Sequence, residues 1–118
     1  MSYVDGYVLP LPESKLEEYR KMADKAGAIW KEHGALEYKE CIAEDTTDTG
    51  FCGTFPKLFA TQPGEVVVFA YVVYRDRAHR DEVNAKVMND PRIKDDCHDM
   101  PFDPMRMAYG GFRSLVEY

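Results

Sequence analysis

The stretch VVVFAYVVY, residues 66–74, constrains this chain more than any other. A strand sends alternate side chains to opposite faces. Val66, Val68, Ala70, Val72 and Tyr74 share one face, and Val67, Phe69, Tyr71 and Val73 the other. Both faces are apolar, so each needs cover from water. With 118 residues the chain makes one domain with one core. A domain of that size withdraws about two thirds of its unfolded surface from water. The question is what lies over the second face.

The rest of the chain supplies cover for the first. Residues 2–9 (SYVDGYVL) read as a strand closed by Pro10 and Pro12, with Tyr3, Asp5, Tyr7 and Leu9 on one face and Val4, Gly6 and Val8 on the other. In PESKLEEYRKMADKAGAIWKEHG, the residues Leu16, Tyr19, Ala23, Ala26, Trp30 and His33 recur every three or four positions among charged neighbours. That spacing predicts an amphipathic helix. Ser14 and Glu17 have capping-box spacing at its start, and Gly34 is placed to end it with a positive φ. Residues 35–44 alternate as an edge strand, with Leu36, Tyr38, Glu40 and Ile42 against Glu37, Lys39, Cys41 and Ala43. Residues 65–74 form a third strand. A second helix over 76–89 is capped by Asp76 and ended by Pro91. A last strand runs from about Met105 to Val116, where Gly110 and Gly111 suggest a bulge or the close approach of another backbone.

The order β-α-β-β-α-β is that of the split βαβ, or ferredoxin-like, arrangement. This is an α+β fold, with a four-stranded antiparallel sheet carrying both helices on one face and strands one and three in the middle. VVVFAYVVY is then central, and its second face has no cover within the chain. Burying each large apolar side chain is worth ~1.5–3 kcal/mol, and a contiguous apolar patch marks an interface. A homodimer with two sheets packed face to face is expected. The alternative is a long loop folded under the sheet.

Composition narrows the function. The net charge is −6, and Arg75, Arg77 and Arg80 are interleaved with Asp76 and Asp81. Neither a nucleic acid nor an anionic membrane is an expected partner. The opening MSYVDGYVLP lacks the features of a signal peptide, and the longest apolar run falls well short of the roughly twenty residues of a membrane helix. Three cysteines, Cys41, Cys52 and Cys97, without CxxC spacing, suit reduced thiols in a cytoplasm.

The segments EHGALEYKEC, GTFPKLF, RAHRDEVNAKVMNDPR and DMPFDPMRMAYGGF resemble the signature segments of the YbaA-like family of uncharacterised small bacterial proteins. The resemblance spans most of the chain. It implies membership of the dimeric α+β barrel superfamily, whose ferredoxin-like subunits pair through their sheets. It implies no reaction. That superfamily includes cofactor-independent monooxygenases, lactone isomerases, haem-handling proteins and stress proteins, and a fold does not choose among them.

A pocket is expected between helices and sheet, lined by Trp30, His33, Tyr38, Arg80 and Asn84. His33 near a helix C-terminus can carry a proton, or it simply packs the helix end. Arg80 and Asn84 flank the inner face defined by Val83 and Val87. They could hold a carboxylate or enolate, or Arg80 could snorkel to an acidic loop while Asn84 bonds to backbone. The connection 45–63 is too long for a simple turn. Its Phe51, Phe55 and Phe59 make it either a lid over that pocket or a clasp on a partner, with FPKLF as a helical turn. In the connection 91–104, Asp103 and Arg106 suggest a loop-fixing ion pair. Cys97 and His98 in DDCHD have poor metal-ligand spacing, so no metal is expected. Gly110-Gly111 lacks a phosphate-loop context, and no cofactor is expected. The leading reading is a cytoplasmic homodimer that binds a small organic metabolite. The alternatives are a monooxygenase- or isomerase-type enzyme and a structural protein with a filled core.

Overall fold

The computed structural model describes residues 1–95 and 100–118. Its elements are β1 (Tyr3–Pro12), α1 (Leu16–Glu32), β2 (Glu37–Ile42), α2 (Phe55–Leu58), β3 (Glu65–Tyr74), α3 (Arg77–Met88), α4 (Pro91–Lys94) and β4 (Ala108–Arg113). The fold is α+β. An open four-stranded sheet has the order β2-β3-β1-β4, and every neighbouring pair is antiparallel. β1 and β3 are central, as the apolar character of both faces of β3 requires.

Register settles which side chains share a face. Leu9 pairs with Val68, Tyr7 with Ala70, Asp5 with Val72 and Tyr3 with Tyr74. Tyr38, Glu40 and Ile42 join them on the same side from β2. This is the helix side. Its core divides into two clusters. Leu9, Leu11 and Val68 pack against Tyr19 and Ala23 of α1. Val72 and Tyr74 pack with Val83 and Val87 of α3 and with Ala35 in the second.

Four expectations need correction. β1 does not stop at Pro10 but pairs with β3 as far as Pro12. Even-numbered residues of β1 turn their backbone away from β3, since Glu13 N–H and Ser2 C=O bond to opposite sides. β4 pairs only as far as Val8, so the missing N–H groups of Pro10 and Pro12 fall where no strand asks for them. The capping box does not form: Glu13–Lys15 is a 3-10 turn that takes in Ser14, and the Glu17 carboxylate accepts from Arg20 instead, at 2.7 Å. The final strand is shorter than expected, because the Asp103 side chain accepts from Met105 N and caps a 3-10 turn over Pro104–Arg106. The glycines of β4 make no bulge; Gly110 and Gly111 pair in unbroken register with Gly6 and Asp5.

The helix ends follow simple chemistry. Gly34 follows α1 with φ of 116°, a conformation only glycine adopts without strain. Asp76 caps α3 by accepting from His79 N at 2.8 Å. Thr54 does the same for α2 through Lys57 N.

The second face is only partly covered. Phe55 of α2 packs edge-on against Phe69, ring centroids 6.3 Å apart, and Val67 is buried. Beyond that end, Phe69 stays 44% exposed and Phe112 61%, with Val4 and Val8 half-buried between them. The molecule is a slab 40 × 36 × 20 Å: one sheet, with α1 and α3 on one face and the short α2 over one end of the other. No described helix is long and apolar enough to cross a membrane.

Candidate functional site

Among the described residues, the helix side carries three polar groupings. The first lies at the edge formed by α1 and β2. Gly27, in the middle of α1, lets the ring of Tyr38 lie against the helix; a Cβ there would stand 2.6 Å from a Tyr38 ring carbon. The Tyr38 hydroxyl then donates to Glu40 Oε2 at 2.5 Å, and the Tyr19 hydroxyl donates to Glu40 Oε1 at 2.5 Å. One carboxylate thus holds two phenols. Burial, then the Glu40 charge and these hydrogen bonds, push both phenol pKa values well above the ordinary tyrosine value. Beside this tie runs a groove of about 620 Å³ whose walls include Leu16, Ala23, Ile42 and Val68.

The second grouping is a buried ion pair. Asp5 is fully buried on the helix face of β1. Its Oδ1 accepts from Arg80 Nη1 at 2.7 Å, and the same nitrogen donates to the Tyr109 hydroxyl at 3.0 Å. Burial raises the Asp5 pKa, and the Arg80 charge and hydrogen bond offset this only in part. Asn84 and Tyr109 stand close enough to lower it further, yet neither closes a hydrogen bond on Asp5 Oδ2, which has no partner among the described residues. Arg80 lies over the Tyr3 ring at 4.8 Å. Next to this pair a relay crosses the core: Trp30 Nε1 donates to the Tyr74 hydroxyl at 3.0 Å, which donates to Asn84 Oδ1 at 3.2 Å.

The third grouping ties helix ends together. His33 Nε2 lies 2.8 Å from Asp90 Oδ2. Arg92 bonds to both Asp90 and Glu32. Glu32, His33 and Asp90 come within reach of a common cation, but the Arg92 guanidinium already bridges the two carboxylates. The Cys97–His98 pair lies outside the described residues.

Trp30, Tyr38, Arg80 and Asn84 all stand between helices and sheet. Trp30 and Tyr38 are ring neighbours at 6.1 Å, and Trp30 reaches Asn84 through Tyr74. Only Tyr38 of the five lines the groove. His33 turns to Asp90 at the helix end. Among the described residues, the Arg80 charge is matched by Asp5 inside the protein and by Asp81 outside. Phe55 packs on the face opposite the helices, so α2 does not roof the helix-side residues. Phe51 is 94% exposed and Phe59 half-buried. Arg106 pairs with Glu65 at 2.5 Å, not with Asp103. The residues missed as site candidates were Asp5, Glu40 and Tyr19. Asp5 and Glu40 are acids on otherwise apolar or aromatic strand faces, and that contrast was the available signal; Tyr19 read only as part of the apolar stripe of α1.

The chain belongs to the family described as Protein of unknown function (DUF1428), whose pattern matches residues 2–104. Its relatives include the proteins named Uncharacterized protein YbaA of Escherichia coli strain K12 and of Shigella flexneri, each 44% identical over 117 residues, with 99% of both chains aligned. The YbaA-like resemblance read from the motifs is therefore correct. Among solved structures, the de novo designed protein Foldit4 superimposes with a TM-score of 0.48 at 11% identity, covering 97% of this chain and 99% of that one; so distant a likeness carries no argument.

Proposed function

We propose that this protein is a homodimer of ferredoxin-like subunits, a dimeric α+β barrel, and that each subunit binds a small organic molecule in the groove between α1 and β2. The observation that carries the binding reading is the groove itself. Its volume of about 620 Å³ falls within the ~300–1,000 Å³ usual for ligand sites, and apolar walls with a few convergent polar groups are their usual lining. Tyr19, Tyr38 and Glu40 are those groups. The space directly under the helices is filled by Leu9, Leu11, Val72, Tyr74, Val83 and Val87, which favours a ligand at the side. The uncovered half of the sheet and the 20 Å thickness of the slab support the dimer. The exposed free thiols Cys41 and Cys52 favour a reducing compartment, and we assign the protein to the cytoplasm.

The test is a plug. Ala28 lies on the groove and is exposed, so Ala28→Phe fills the opening without touching the core. A fragment screen by two-dimensional NMR should shift the amides of Ala23, Ala28 and Ile42, and the plug should abolish those shifts while leaving the melting temperature unchanged. Hits that persist in Ala28→Phe would refute the site.

A further inference from the structure

We propose that the groove selects a cationic amphiphile: an organic amine whose ammonium head meets Glu40 while its apolar body lies along Leu16, Ala23, Ile42 and Val68. This rests on the reading of the groove as a ligand site and names the class of ligand.

The inference follows from counting donors and acceptors at the floor. A phenol has a single O–H to give. Tyr19 and Tyr38 both give theirs to Glu40, and their raised pKa values keep those protons in place. What the three side chains still offer is acceptors only: the lone pairs of two phenol oxygens and the remaining lone pairs of a carboxylate. The cations of the lining are engaged elsewhere. Arg20 forks onto Glu17 through Nε and Nη2, and Lys31 donates to the Leu36 carbonyl at 2.8 Å. The lining holds three carboxylates, of Glu17, Asp24 and Glu40, against the two cations Arg20 and Lys31.

A ligand carboxylate or phosphate at that floor would find no donor and would be desolvated without compensation. A hydroxyl could donate one bond. An ammonium donates up to three, each assisted by charge. The net charge of −6 draws cations toward the protein as a whole. The apolar walls set the other half of the specificity, since a bare inorganic cation would leave them unfilled.

Three probes of similar size and shape test this: 2-phenylethylamine, 2-phenylethanol and 3-phenylpropionate. They are compared by calorimetry and by NMR at fixed ionic strength. The amine should bind at least about tenfold more tightly than the acid, or ~1.4 kcal/mol, with shifts at Ala23, Ala28 and Ile42. Glu40→Gln should cut the amine affinity by about the same factor and that of the alcohol by less, since a hydroxyl gives only one bond there and carries no charge. Tyr38→Phe, which keeps the carboxylate and frees one of its oxygens, should hold or raise the amine affinity. The wild-type comparison stands even where a variant fails to fold. Acid bound as tightly as amine in the groove would overturn the ligand class and leave the groove reading intact. Groove amides unmoved by any of the three would count against both.

Discussion

Gly27 sits in mid-helix, where glycine ordinarily costs about 0.5–1 kcal/mol relative to alanine. Its neighbour explains it: a Cβ at that position would stand 2.6 Å and 2.7 Å from two Tyr38 ring carbons. Gly27→Ala should therefore destabilise by roughly 1–3 kcal/mol, as other overpacked cores do, instead of gaining the usual helix propensity. Urea unfolding measures the sign, and a stabilised variant would show that the Tyr38 ring yields at no cost. The same position shows why much of the site escaped sequence reasoning. Alternation alone put Tyr38 and Glu40 on one strand face. That Tyr19 meets them from α1 depends on the angle at which the helix crosses the sheet, and no local pattern encodes that angle. Asp5 was likewise placed on the correct face, yet its partner Arg80 lies 75 positions away in the chain.

At the level of elements, strands and helices with strong periodicity fell where the residues placed them, β3 over Glu65–Tyr74 among them. The ends were less legible, because tertiary partners set them. β1 outruns its prolines because β4 is short, and β4 is short because Asp103 diverts the chain into a capped turn. Asp90 is another such junction. It begins α4 by accepting from Arg92 N and holds His33 at the end of α1. Hydrogen bonds from the Arg92 side chain and then from His33 keep its carboxyl well below the ordinary aspartate value. A depressed pKa contributes stability that is present above the unfolded value and lost as pH falls toward the folded one. Asp90→Asn should lower the melting temperature at neutral pH, and its curve should converge with that of the wild type as pH falls below about 4. Parallel curves down to acid would mean that Asp90 contributes nothing through its charge.

The molecule as a whole is half a sandwich. Both faces of VVVFAYVVY asked for cover. The helices answer for one, and α2 answers for only one end of the other. The unmet need was legible in the sequence; how far the loop would reach was not, since the seat of Phe55 on Phe69 depends on the path of the chain from 45 to 54. Sedimentation should give twice the chain mass of 13.6 kDa. The double variant Phe69→Glu with Phe112→Glu should sediment as a folded monomer, because charge on a desolvated face has no partner. A wild-type monomer at micromolar concentration would rule out the paired sheets.

The prolines of β1 also act as an end stop. A hydrophobic pattern polices slips of one residue, which invert the faces, but not slips of two, which restore them. Were β4 to creep two places along β1 away from Tyr3, Ala108, Gly110 and Phe112 would still point the right way. It would then look to Pro10 for an amide hydrogen that the ring does not have. The alignment of the last strand is thus guarded by an absent atom where side-chain chemistry is indifferent.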